Sequence, residues 1–244
     1  MSTATKSARP PVASQEEWLA ARKKLLLEEK ELTKHYDRVH AELRRLPMVK
    51  IEKKYEFDTP EGKKSLADLF EGQPQLIVYH FMYGPDDKTG CPGCTSFVQA
   101  LGDLSMLNER NTNFVLVSRA PLATLLAYKE KMGWTCPWYS SFGSDFNYDY
   151  HVTQDESKAP VEYNYMTKEE LLARRGSMEN IEGEDHGLSV FFKDGDDLFH
   201  TYSTYARGTE NLTNSYELLD VTPYGRQEDW EDSPDGWPQR PTYG

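Results

Sequence analysis

The chain is poor in cysteine, with three among 244 residues, and has no apolar run long enough to cross a bilayer as a helix. Three cysteines cannot build a multi-bridge secreted scaffold, so the fold is expected to rest on an apolar core. Positive charge is also short: 28 Lys and Arg stand against 40 Asp and Glu, for a formal net charge of -12. Nonspecific nucleic-acid binding needs clustered basic residues, so nucleic acid is not an expected partner, and neither is a membrane. The first residues, Met1-Ser-Thr-Ala-Thr-Lys-Ser-Ala-Arg-Pro-Pro11, lack the apolar core of a secretory signal, which points to the cytoplasm. No internal repeat and no second CxxC are visible.

Against that background one motif stands out. Cys91-Pro-Gly-Cys94 follows the apolar run Gln75-Leu-Ile-Val-Tyr-His-Phe-Met82 and precedes a stretch, 95–107, with helical character. A strand, a loop and a CxxC opening a helix make a dithiol redox arrangement: the spacing lets the sulfurs close a small ring, and the helix start favours a thiolate at the first cysteine. Pro92 suits the first helical position, where its missing N–H would have had no intrahelical partner. Cys91 is therefore the expected nucleophile and Cys94 the resolving thiol. A structural zinc site is the competing reading, but zinc needs four ligands and would have to recruit Cys136 and a distant histidine such as His151. No metal and no cofactor are expected.

The remaining sequence predicts one core with two arms. Residues 1–13 are expected to be disordered. Ser14-Gln-Glu-Glu17 forms a capping box that starts a long amphipathic helix over 14–46. Along it Trp18, Leu25, Leu32, Val39 and Leu46 recur every seven residues, a stripe that must be covered by the chain's own domain or by a partner helix in a homodimer. The alternation in 49–57 predicts a half-exposed strand, and Asp58-Thr-Pro-Glu-Gly62 a hairpin turn. Ser65-Leu-Ala-Asp-Leu-Phe70 reads as one helical turn. Strands over 76–82 and 113–118, flanking the CxxC helix, form a right-handed parallel unit followed by a helix over 121–132. Ligand sites gather at the C-terminal ends of such strands, which places Ser118 and Arg119 on the CxxC edge, with Arg119 as the candidate cation beside Cys91, or else a solvated strand-end charge or an ion-pair partner of Asp145. A polar surface excursion over 151–186 carries a helix near 167–175. An antiparallel hairpin over 187–203, a closing helix over 211–219 and an acidic C-terminal arm over 226–244 complete the chain.

This order of elements resembles the thioredoxin superfamily. The segments Ser65-Leu-Ala-Asp-Leu-Phe70, Gln75-Leu-Ile-Val-Tyr-His-Phe-Met82, Ser118-Arg-Ala-Pro-Leu122, Phe142-Gly-Ser-Asp-Phe-Asn-Tyr148 and Phe199-His-Thr-Tyr-Ser-Thr-Tyr-Ala-Arg-Gly208 resemble, over about 15–225, the thioredoxin-like family catalogued as domain of unknown function eight-nine-nine. The resemblance implies an α/β thioredoxin-like fold over 47–225, with a central mixed sheet flanked by helices, and leaves the substrate open. Two positions depart from ordinary thioredoxin: Gly90 replaces the Trp before the first cysteine, and no proline stands in Asp185-His-Gly-Leu188. The peroxiredoxin pattern of Pro and Thr at set distances before the cysteine is absent too, since counting back from Cys94 reaches Asp87 and Cys91.

Other candidates have two readings each. Cys136 is a packed small hydrophobe or an auxiliary redox thiol. His80 is a hydrogen-bonded core histidine or a proton shuttle. His200, with Tyr202, Tyr205 and Arg207, lines a pocket or packs across strands. Asp145, Asn147 and Asp149 resemble fragments of a metal loop but suit capping and turns. The expected activity is thiol-disulfide exchange with a disulfide-containing protein or a small-molecule thiol or disulfide. A thiol-dependent peroxidase or small-molecule enzyme, and a non-catalytic interaction protein, are the alternatives.

Overall fold

A computed structural model describes residues 9–178, 181–214, 222, 226–233, 235–237 and 239–240. Contacts divide the chain into two units, of which the larger holds Met48–Asn214 and the smaller contains the N-terminal helix. That helix, α1 (Gln15–Leu43), starts at the expected capping box: Glu17 N donates to Ser14 Oγ at 3.2 Å, and Ser14 N donates to Glu17 Oε2 at 2.8 Å. It ends at Leu43, short of the proline, and none of its residues is buried; Trp18 is 54 % and Leu32 64 % exposed. The stripe of seven-residue spacing is therefore exposed in the single chain. A bridge pairs Glu228 with Arg240, so this part of the expected extended arm folds back on itself. The helix expected over 211–219 falls largely outside the described residues, as does most of the expected disordered start.

The larger unit is built on one sheet. Its strands are β1 (Val49–Lys50), β2 (Glu56–Thr59), β3 (Gly62–Ser65), β4 (Gln75–His80), β5 (Thr112–Ser118), β6 (Trp138–Ser140), and the hairpin of β11 (Gly187–Asp194) and β12 (Asp197–Tyr205). They lie in the order β1-β12-β11-β4-β5-β6-β2-β3, with β4, β5 and β6 parallel and the other pairs antiparallel. This is the mixed sheet flanked by helices that the resemblance implied.

The alternation in 49–57 has a different origin from the one expected. Val49 pairs with His200 at one edge, whereas Asp58 pairs with Ser140 near the other, so the segment crosses a face of the sheet instead of forming one strand. Tyr55 and Phe57 drop into the core and Ile51 packs against it, which gives the same period of two without continuous pairing.

The central strands are buried on both faces. Leu76, Val78, Val115 and Val117 face a core completed by Tyr55, Phe57, Phe70, Phe146, Tyr150 and Phe191. Tyr79, Phe81, Phe114 and Leu116 face the opposite core, covered by α2 (Pro92–Gln99) and α4 (Leu122–Met132) through Cys94, Phe97, Val98 and Leu125. The CxxC helix is shorter than expected. Gly102 takes a left-handed φ of 64°, and the Asp103 carboxylate accepts from Ser105 N at 2.9 Å, starting a separate α3 (Ser105–Glu109).

The excursion is more than surface. It follows α5 (Phe146–Asp149) and contains β7 (Thr153–Gln154), β8 (Glu162–Tyr163), β9 (Met166–Thr167), α6 (Lys168–Arg175) and β10 (Gly183–Glu184). Val152, Val161, Tyr163, Leu171 and Ile181 form a small third core with Tyr205 from β12. Alternating polar residues hid this core in the sequence.

Candidate active site

The dithiol stands at the end of the parallel pair β4–β5, where α2 begins. Cys91 occupies the N-cap and Pro92 the first helical position. Cys91 N donates to Met82 O at 3.2 Å, and Thr95 donates its N–H (2.9 Å) and its hydroxyl (2.8 Å) back to Cys91 O, fixing the turn that presents the first sulfur. Gly90 has a steric reason to be glycine: a Cβ there would approach Phe81 Cε1 to 2.8 Å and Tyr128 Cζ to 3.3 Å. The bulky residue of ordinary thioredoxins does not fit between these rings.

The two thiols differ in environment. Cys91 is half-buried, whereas Cys94 is 2 % exposed. A hydrogen bond from Cys94 lowers the Cys91 thiol to about 6; burial opposes this, and the amides of Cys94 and Gly93 add to it. Asp87, on the loop before the motif, pushes the other way. Burial raises Cys94 well above the ordinary thiol range, and the bond to Cys91 raises it further. Met82 N donates to Cys94 Sγ at 3.5 Å. The pair therefore sets a half-buried thiol that is lowered beside a buried thiol that is raised.

Arg119 lies at the expected edge, directly after β5, but its partner is not Cys91. Its guanidinium pairs with Glu184 Oε1 at 2.7 Å and stacks over the Tyr148 ring at 4.8 Å. Glu184 also accepts from the Thr153 hydroxyl at 2.8 Å, so Arg119 ties the excursion to the sheet. The lowering of Cys91 draws on helix amides and Cys94, not on Arg119. Asp145, the other partner considered for Arg119 by sequence position, is bridged to Asp149 by Lys53 at 2.9 and 2.6 Å. Asn147 accepts from Ser141 at 2.8 Å, so this acidic loop is a structural knot; among the described residues no group of three or more potential metal ligands occurs.

His80 follows the core reading. Burial holds it neutral, at about 3, with His200 adding to the shift. Its Nε2 lies 2.8 Å from Ser189 Oγ, which lies 2.8 Å from Ser203 Oγ, which lies 2.7 Å from His200 Nε2. The two serines joining the histidines were not legible, because they meet only when β11 pairs with β12. Tyr205 donates to Tyr150 O at 3.0 Å and Arg207 pairs with Glu210, so the set around His200 packs and bonds instead of lining a pocket. Cys136 is half-buried against the same core as the dithiol, and burial raises its thiol, which suits a packed small residue. A cavity of about 700 Å³ lies alongside it, lined by Val98, Leu101, Leu104, Phe114, Trp134 and Cys136 and separate from both motif sulfurs.

Comparison with known proteins places this arrangement in context. The family described as "Bacterial protein of unknown function (DUF899)" matches residues 7–243. No curated protein matches the chain. Among solved structures, peroxidoxin BcpB from Mycobacterium tuberculosis is similar at 13 % identity, covering 68 % of this chain and 93 % of its own, with a TM-score of 0.44. A 2-Cys peroxiredoxin from Plasmodium vivax is similar at 16 % identity, 66 % and 82 % coverage and a TM-score of 0.41. A yeast mitochondrial 1-Cys peroxiredoxin reaches 18 % identity, 78 % and 84 % coverage and a TM-score of 0.39. Likeness at this level says nothing about what the present site does.

Proposed function

Given that the chain belongs to the DUF899 family, whose description assigns no activity, we propose from the site itself that it is a thiol-disulfide oxidoreductase. The observation that carries this reading is the contrast within the motif: a half-buried Cys91 lowered to about 6 beside a buried Cys94 raised well above the ordinary range. In the reaction, the Cys91 thiolate attacks one sulfur of a substrate disulfide, forming a mixed disulfide and releasing the first substrate thiolate. Cys94 gives up its proton, which neutralises a departing thiolate or passes to solvent, and attacks the Cys91 sulfur. The second substrate thiolate leaves, and the dithiol has passed two electrons to the substrate as it closes to a disulfide.

Arg119 serves this site at one remove. Glu184 lies against the loop that leads to Cys91, since a Cβ on Gly84 would be 3.2 Å from both Glu184 Cγ and Asp87 Oδ2. By pairing with Glu184, Arg119 limits the negative field near the nucleophile. The substrate is a disulfide-bearing protein or small molecule, the compartment one that keeps thiols reduced, and the exposed stripe of α1 a surface for a second copy of the chain. No described helix is long and apolar enough to cross a membrane. The test is equilibration of the dithiol with glutathione buffers, together with mass spectrometry of molecules trapped by a Cys94→Ser variant. Covalent adducts on Cys91 support exchange; a dithiol that stays reduced in every buffer, with no adducts, contradicts it. Consumption of peroxide with a thiol donor would assign the two electrons to a peroxide instead.

A further inference from the structure

Resting on that reading of the dithiol, we propose that Tyr128 is a positioning residue for the nucleophile: its hydroxyl donates to Thr95, Thr95 donates in turn to the Cys91 carbonyl, and this chain holds the start of α2 in the form that favours a thiolate at Cys91. The proton count sets its direction. Thr95 Oγ1 lies 2.8 Å from Cys91 O and 3.0 Å from the Tyr128 hydroxyl. A carbonyl oxygen can only accept, so the single Thr95 hydroxyl proton goes to Cys91 O, and the proton between Thr95 and Tyr128 comes from the phenol. Cys91 O also accepts from Thr95 N at 2.9 Å, and Cys91 N donates to Met82 O at 3.2 Å, so both backbone groups of the nucleophile are held.

Packing and space bring the phenol to this place. α4 is anchored by Leu125, which is fully buried and lies three residues before Tyr128 on the same side of the helix. The Tyr128 ring meets Tyr83, Trp134 and Trp138 edge-on, with centroids 5.7, 5.9 and 6.1 Å away. Gly90 leaves the room: the Tyr128 atom that a Cβ at Gly90 would approach to 3.3 Å is Cζ, the carbon that carries the hydroxyl. The glycine before the first cysteine therefore lets α4 reach the start of α2. Both O–H dipoles point their positive ends toward Cys91, and a carbonyl oxygen that accepts two bonds presents less negative potential to its own residue's sulfur. Successive bonds of this kind polarise and strengthen one another. The amides of Gly93 and Cys94, which lower the Cys91 thiol, keep their aim only while this turn keeps its shape.

The experiment is the rate of iodoacetamide alkylation of Cys91 in full-length reduced protein across pH 4 to 10, with the modified residue identified by peptide mass. Tyr128→Phe keeps the ring and removes the hydroxyl; its midpoint is expected to rise by about half a pH unit, which slows alkylation at pH 5 about threefold. Thr95→Val removes the middle of the chain and is expected to raise the midpoint at least as far, and Thr95→Ser, which restores a hydroxyl, to rescue it. Adding Tyr128→Phe to Thr95→Val should then move nothing further, because the phenol acts only through Thr95. An unmoved midpoint in Tyr128→Phe, even with lowered melting, or additive shifts in the double variant, overturns the proposal. If Tyr128→Phe does not fold, 3-fluorotyrosine at position 128, a stronger donor of nearly the same shape, is expected to lower the midpoint, and an unmoved one overturns the role. The exchange reading fails separately, in protein carrying Cys136→Ser and given one 5,5′-dithiobis(2-nitrobenzoate) per chain. Release of one thiolate with no closure to a second contradicts that reading, and the place of Tyr128 in the reaction with it.

Discussion

Tyr79 and His80 are consecutive residues of β4, both 1 % exposed, and the pleat sends them to opposite faces of one sheet. On one face Tyr79 lies in the core that also buries Cys94, near the start of a helix whose other thiol, Cys91, is half-buried. On the other, His80 begins a chain of four side chains, His80, Ser189, Ser203 and His200, running between antiparallel strands among Phe146, Tyr150 and Phe191. Both faces bury polar groups, and both satisfy most of them. They differ in whether a reactive atom is held half-open at a helix terminus. Chemistry is expected where it is, and stability alone where it is not.

The largest expected effect is at the reactive atom. Cys91→Ser should abolish disulfide exchange, read as no release of thiolate from an added disulfide, while Cys94→Ser should release one equivalent and stop at the mixed disulfide. His80→Ala should then cost about 3 kcal/mol of stability, from the cavity and the stranded serine hydroxyls, without moving the pH at which Cys91 reacts. Denaturant unfolding and alkylation rates measure the two halves of that statement. A shifted Cys91 midpoint would mean that the two faces communicate and would break the comparison.

The pH dependence separates the faces again. Cys91 in the folded, reduced protein sits at about 6, below its ordinary value of 9.0. Its thiolate therefore contributes stability that is full above about pH 9 and is lost as pH falls through about 6. The oxidised protein has no such thiolate. His80, at about 3 instead of 6.5, contributes stability that is full above about pH 6.5 and is lost as pH falls toward 3. The stability of the reduced protein should fall relative to that of the oxidised protein as pH drops from 9 to 6, and both forms should lose stability together below that. A constant difference across the range would contradict the thiolate assignment.

Smaller effects are expected farther out. Arg119→Ala should cost about 2 kcal/mol, because it leaves Glu184, 9 % exposed, without its guanidinium, while Cys91 reactivity shifts less than it would on loss of Cys94. A Leu32→Asp change on α1 should leave melting of the monomer unchanged, since Leu32 is 64 % exposed, and should dissociate a dimer if α1 is its seam. Light scattering reads the mass, and an unchanged dimer would remove α1 from the interface.

Much of this was legible because it is local. The capping box at Ser14, Pro92 at the first position of α2 and the β11–β12 hairpin each depend on residues a few positions apart. What was not legible depends on partners brought from far away. Arg119 meets Glu184 across 65 positions, and Ser189 meets His80 across 109. The segment 49–57 misled for another reason: alternation records which side chains are buried, not which backbone they pair with.

The most direct test of the account is the rate of iodoacetamide alkylation of the reduced protein across pH 4 to 10, with the modified residue identified by peptide mass. Cys91 is expected to react first, with a midpoint near pH 6, while Cys94 stays protected over the same range. A Cys91 midpoint near the ordinary value of 9.0, or faster modification of Cys94, would contradict it.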